Sequence, residues 1–249
     1  MLRQAVLAVL LMFALPCAGP VSATEPDCPA ATDIAAPEAT AGALPRVAAA
    51  LNSRGLDVLA IGSGTVLGAR GRPEGSFPDH MVHDLRAGLP GTEIGLTVQG
   101  ERGMTAAAML AILRKGLAGQ HFALVVWQTG TVEAVRKLPL EEFARTLDDG
   151  AEAVRAAGAD LILVDQQYSR MLQAHADLPP YRTAMQEAAQ RHHAVLFSRF
   201  DLIRQWVEAG DLDLESAAKS DRPKMAARLN ACLGQALAQT VLRGADVAP

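Results

Sequence analysis

With 249 residues, 50% hydrophobic and 20% charged, the chain has an ordinary globular composition. That is enough for one well-buried core and short for two domains. A formal net charge of -4, with Lys and Arg scattered along the sequence, excludes a phosphate-tracking nucleic-acid surface and a charged interaction tail.

The chain opens with one early Arg, an apolar run from Ala5 to Leu15, a helix-breaking Pro16 and small residues at Val21-Ser22-Ala23. This pattern predicts a secretory signal over 1–23, cleaved after Ala23, because the apolar run is too short to span a bilayer. A lipoprotein reading through Cys17 is weakened by Pro16, which stands where a small residue is wanted. Residues 24–43 are rich in Ala, Pro, Thr and acids and read as a flexible tether. Export leaves Cys28 and Cys232. In an oxidising compartment the two suggest a disulfide between the mature N-terminus and the last helix. The competing reading is a Cys232 buried on an apolar helix face beside a loose Cys28.

From residue 44 to 249 the pattern is regular. Strand character appears at Leu56–Ile61, Ile94–Val98, Phe122–Trp127, Leu161–Val164 and Ala194–Phe197. Helical spacing falls between them, at Phe77–Ala87, Met104–Leu113, Leu140–Ala157, Tyr181–Arg191 and Leu202–Ala209, with a last helix from about Met225 to Leu242. Pro78 suits a first helical turn, and Gly88 and Gly158 stand where helix C-caps belong. Strands that are nearly all apolar, alternating with helices, predict a single α/β domain with a five-stranded parallel sheet covered on both faces.

Ligands of such sheets bind beyond the carboxyl ends of the strands. Those ends carry Ser63 and Thr65, Gln99 and Arg102, then Gln128, Thr129 and Thr131, then Asp165, Gln167 and Tyr168, and finally Ser198 and Arg199. The set suits a hydrogen-bonding pocket, although strand-end loops are polar in any case because they are wet. The loop Gly62-Ser63-Gly64-Thr65-Val66-Leu67-Gly68 has the glycine content of a dinucleotide loop. A dinucleotide loop needs a helix to open at once, and the glycine-, arginine- and proline-containing residues 69–75 cannot supply one.

The order of these segments resembles the SGNH/GDSL hydrolases. Residues 60–68 followed by 77–85 are similar to that family's first block, 97–110 to its second, 121–134 to its third, and 159–169 and 193–206 to its later strands and the helix before its final block. The resemblance implies a three-layer, flavodoxin-like α/β/α domain that hydrolyses esters. A first-block Ser would be the nucleophile, activated by a His with an Asp three residues before it. The oxyanion would be held by the serine's own N–H, a second-block Gly N–H and a third-block Asn.

Aligned residue by residue, Gly64 occupies the nucleophile slot, with Ser63 one position early. One residue of slip on a strand end turns a side chain toward the opposite face. Gly103 keeps the second-block donor, whereas Val132, after Thr131, stands in the Asn slot and donates nothing. In the final block, Asp213 followed by Ser216 puts Ser216 in place of the His, and an alternative alignment puts Asn230 there. The remaining histidines read mostly as solvated side chains. The pair His80 and His83 with Asp79 and Asp84 reads as a polar helix face rather than a metal site, and His175 with Asp177 is the least implausible stand-in base.

Three functions follow. One is an exported, weakly or non-catalytic domain that binds a small molecule, a glycan or an acylated envelope component through the strand ends. Another is an ester hydrolase using Ser63 with a displaced His such as His175, supported by Gly103. The last is a partner-binding scaffold presenting Trp127, Trp206 and Tyr168. None calls for a metal or cofactor, a nucleic acid or a membrane span. The oligomeric state is left open.

Overall fold

A computed structural model of the chain describes residues 28–29, 42–68, 72 and 74–247. The expected signal segment and most of the expected tether lie outside the described residues. Five strands form one sheet: β1 (Gly55–Gly62), β2 (Glu93–Gly100), β3 (Leu124–Gln128), β4 (Asp160–Val164) and β5 (Val195–Phe197). Their order is β2-β1-β3-β4-β5, and every neighbouring pair is parallel. Successive strand residues face opposite sides. Val58, Ala60, Leu124, Val126, Ile162 and Val164 enter one core, while Leu59, Ile61, Val125, Trp127, Leu161 and Leu163 enter the other. Both faces are therefore apolar, which explains the near-continuous hydrophobic strands.

Helices α1 (Pro45–Asn52), α2 (Phe77–Gly88), α8 (Arg199–Glu208) and α9 (Arg222–Gly244) supply side chains to the first core. Helices α3 (Ala106–Gly119), α5 (Leu140–Ala156) and α7 (Pro179–His192) supply them to the second. Two short helices, α4 (Thr131–Arg136) and α6 (Arg170–His175), lie in strand-end connections where the hydrophobic spacing gives no sign of them. Helix α1 is likewise unannounced. It begins on Pro45, and the carboxylate of Asp160 accepts the N–H groups of Arg46 and Val47 at 2.8 and 2.9 Å. Trp127 and Trp206 are core residues, almost wholly buried, so they are not surface anchors. Gly150 of α5 leaves room for the Trp127 ring, which a Cβ there would overlap.

Cys28 and Cys232 form a disulfide that joins the start of the described chain to α9. Among the described residues, no helix is long and apolar enough to cross a membrane. The disulfide closes a loop of 204 residues, and bridges closing loops of that size stabilise native domains by roughly 2–5 kcal/mol. Denaturant unfolding with and without reductant should reveal a loss in that range. Equal midpoints would show that the bridge adds nothing to stability.

Candidate functional site at the strand ends

In this strand order the chain leaves β1 toward β2 on one side and toward β3 on the other, and the crevice between β1 and β3 is where such folds bind ligands. β1 and β2 end on the facing pair Gly62 and Gly100. Gly100 has φ +144°, and a Cβ there would collide with the Gly62 carbonyl oxygen, so only glycine lets the two chain ends come this close. Beyond that pair, the Gly103 N–H donates to Ser63 Oγ at 2.9 Å. On the β3 side, Oε1 of the buried Gln128 accepts the Ser63 N–H at 3.3 Å and the Thr65 hydroxyl at 3.2 Å. Val66 folds back to donate its N–H to the Ser63 carbonyl and is fully buried. The loop is thus a tight polar turn sealed by a valine. The next helix waits until Ser76, whose hydroxyl accepts the Asp79 N–H.

Gly64, which the family resemblance aligns with the nucleophile, has the Arg102 side chain as its neighbour. A Cβ at Gly64 would lie 3.4 Å from Nη1 and 3.5 Å from Cζ of Arg102, so the guanidinium is in van der Waals reach of the position. At the third-block turn, Gly130 has φ +88° and a Cβ would overlap the Gln166 amide. Glu133 is buried and accepts the N–H groups of Gly130, at 3.1 Å, and of Ala106. Its carboxylate satisfies otherwise orphaned donors at the starts of α4 and α3 together. Thr129, Thr131 and Gln166 bring buried polar atoms to the same turn. Gln166, fully buried, escapes a strand-end reading, which selects its half-exposed neighbour Gln167. Val132 is half-buried in the first turn of α4.

Asp165 does not line an open pocket. It is buried, accepts from Arg182 Nε at 3.1 Å and from the Phe200 N–H at 2.9 Å, and burial pushes its pKa up to about 6. Arg182 also pairs with Asp201 and stacks over Phe200, and Tyr168 meets that ring edge-on at 5.3 Å.

His175 and Ser63 are not brought together by any hydrogen bond. His175 Nδ1 lies 2.7 Å from the Met171 carbonyl, and the ring lines a separate cleft of about 670 Å³ with Lys137, Asp177 and Arg204. Among the described residues no histidine hydrogen-bonds Ser63. His83 meets Asp84, His192 meets Asp148, and His80 packs against Gly234.

The final-block residues form their own cluster. Asp213 accepts the Ser216 hydroxyl at 2.6 Å and is gripped by both Nη atoms of Arg170, which holds its carboxyl well below the usual carboxylate range. Glu215 accepts from Ser169 and from the Arg170 N–H at the start of α6. Asn230 is half-buried on α9. Among the described residues no cluster of His, Cys, Asp and Glu has the arrangement to hold a metal ion.

The sequence profile of the Non-GDSL lipase-like family matches residues 27–247. The chain belongs to that family. No curated protein matches it. Solved structures with a similar fold include an acetyl xylan esterase variant from Geobacillus stearothermophilus, 17% identical over 75% of this chain and 94% of its own, with a TM-score of 0.61. A G-D-S-L family protein from Desulfitobacterium hafniense is 16% identical over 74% and 98%, with a TM-score of 0.59. A psychrotrophic esterase from Pseudoalteromonas sp. is 16% identical over 73% and 98%, with a TM-score of 0.53. At such identities the likeness establishes the fold, which is the SGNH-hydrolase-like three-layer α/β/α arrangement with five parallel strands.

Two outcomes follow from the buried carboxylates. Glu133→Gln would point an amide N–H at one of two backbone N–H groups, so urea unfolding should show a loss of about 2–3 kcal/mol. An unchanged midpoint would mean the turn finds other acceptors. For Asp165 the folded pKa lies above the unfolded one, so the folded state binds the extra proton. The contribution is full below pH 4 and is lost as pH rises through about 6. The stability difference between wild type and Asp165→Asn should therefore shift in favour of wild type as pH falls from 7 to 4. A flat difference would place the titration elsewhere.

Proposed function

We propose that this protein is an exported, non-hydrolytic SGNH-type domain that binds a glycan or acylated ligand of the cell envelope at the β1/β3 strand ends. The observation that carries the reading is at Gly64: the position aligned with the attacking residue has no side chain, and the Arg102 guanidinium lies within van der Waals reach of it. A triad works as a unit, and without nucleophile and base little catalysis remains. Export is supported by the N-terminal sequence pattern and by the Cys28–Cys232 bridge, a bond kept in oxidising compartments. The ligand class rests on the polar strand-end residues and on the fold shared with esterases, one of them an acetyl xylan esterase.

One contact favours a second reading, ester hydrolysis by Ser63. Its Oγ already sits 2.9 Å from the N–H of Gly103, the residue aligned with an oxyanion donor. That reading needs a base, which would have to arrive by movement of His175 or another histidine. Fluorophosphonate treatment of the mature protein, followed by peptide mass spectrometry, separates the two. We expect no adduct beside a labelled control esterase. A stoichiometric adduct on Ser63 would overturn the non-hydrolytic reading.

A further inference from the structure

We infer that the strand-end site recognises an anionic group on its ligand, a carboxylate or a phosphate, seated between Arg102 and Arg136 and against Ser63 and Gly103. The inference takes the binding face from the reading above and adds the chemistry of what is bound.

Two guanidinium groups lie over adjoining turns, Arg102 against the turn after β1 and Arg136 against the turn after β2. Arg102, after β2, lies over Gly64 with Nη1 3.4 Å from where a Cβ would stand. Arg136, at the end of α4, brings Nη2 to 3.5 Å from the corresponding point on Gly103. Gly64 and Gly103 are tied together through Ser63, whose Oγ accepts the Gly103 N–H. The Ser63 hydroxyl therefore keeps its proton to donate.

The nearby carboxylates do not neutralise these cations. Among the described residues, neither Arg102 nor Arg136 makes an ion pair or hydrogen bond through its side chain, although both are exposed and Glu101 adjoins Arg102. Glu133 is spent on two backbone N–H groups. Behind the turn, Arg199 is 1% exposed and donates to Thr65 Oγ1 at 2.9 Å, while its Nε has no partner. Its nearest compensation is Asp165, which is itself bonded to Arg182. Burial lowers the Arg199 pKa only to about 10, so the group stays charged at neutral pH and adds positive potential beneath the loop.

Two planar guanidinium forks and a hydroxyl beside two adjoining small-residue turns match the demands of an oxyanion, which accepts several charge-assisted hydrogen bonds at once. A neutral sugar hydroxyl would leave the guanidinium charges unmatched.

The test is calorimetric titration of the disulfide-intact protein with glucuronate, inorganic phosphate and glucose, repeated with Arg102→Ala, Arg136→Ala and, as a control, Arg114→Ala. Arg114 is exposed and paired with Asp149 on α5. We expect saturable binding of at least one anion, none of glucose, a loss of tenfold or more in each site variant, and wild-type affinity in the control. The tighter of the two anions identifies the source, carboxylate or phosphate. Absence of saturable anion binding, equal affinity for glucose, or wild-type affinity in either site variant would overturn the inference. Fluorophosphonate labelling of Ser63 would sink the non-hydrolytic reading without bearing on the affinities of the unlabelled protein, so the two can fail separately.

Discussion

The site hangs on a backbone contact. β1 and β2 end together at Gly62 and Gly100, close enough that any side chain at 100 would strike the carbonyl of 62. That approach brings the turn after one strand within a hydrogen bond of the turn after the other, Gly103 to Ser63. Gln128 then pins the first turn from the β3 side. The polar centre is therefore set by the sheet itself, and the mobility of long side chains enters only through the two arginines laid over it.

Around this centre the molecule holds several carboxylates, two of them buried, and each has a local reason. Glu133 is kept because helix starts leave donors that water cannot reach. Asp165 is kept because Arg182 and the Phe200 N–H meet it, although burial still works against its charge. Asp213 sits at the surface, where Arg170 and Ser216 saturate its oxygens. In each case the carboxylate joins elements distant in sequence, so these charges fix geometry at the strand ends more than they add net stability.

The sheet and its order of helices were legible because all-apolar strands such as Leu124–Trp127 leave few alternatives to a doubly covered parallel sheet, and Cys28 and Cys232 pointed to each other. The short elements were not. Beside its Ser169 cap, helix α6 starts on Glu215, more than forty residues away, and Glu133 in α4 reaches back to the start of α3, 27 residues earlier. Local periodicity has no access to such partners. The same holds for the site. Counting along the strand places Gly64 opposite the expected nucleophile, but nothing in the local sequence says that Arg102 folds over it or that Arg136 joins from another connection. Gln166 and Gln167 differ only in which way β4's last turn rotates them, and a wet strand end looks alike from either.

Helix α9 holds the early chain at two points. Cys28 is bonded to Cys232, and Leu44 donates its N–H to the carbonyl of Gly244, twelve residues further along the same helix. The helical rise of about 1.5 Å per residue separates those anchors by roughly 18 Å. A proteolytic nick between residues 30 and 41 would therefore not release what lies upstream. The severed piece would stay covalently attached to α9, and the protein would run at full mass until the bridge was reduced. Whatever the upstream chain is joined to would remain joined to the folded body through a helix on the face away from α3, α5 and α7.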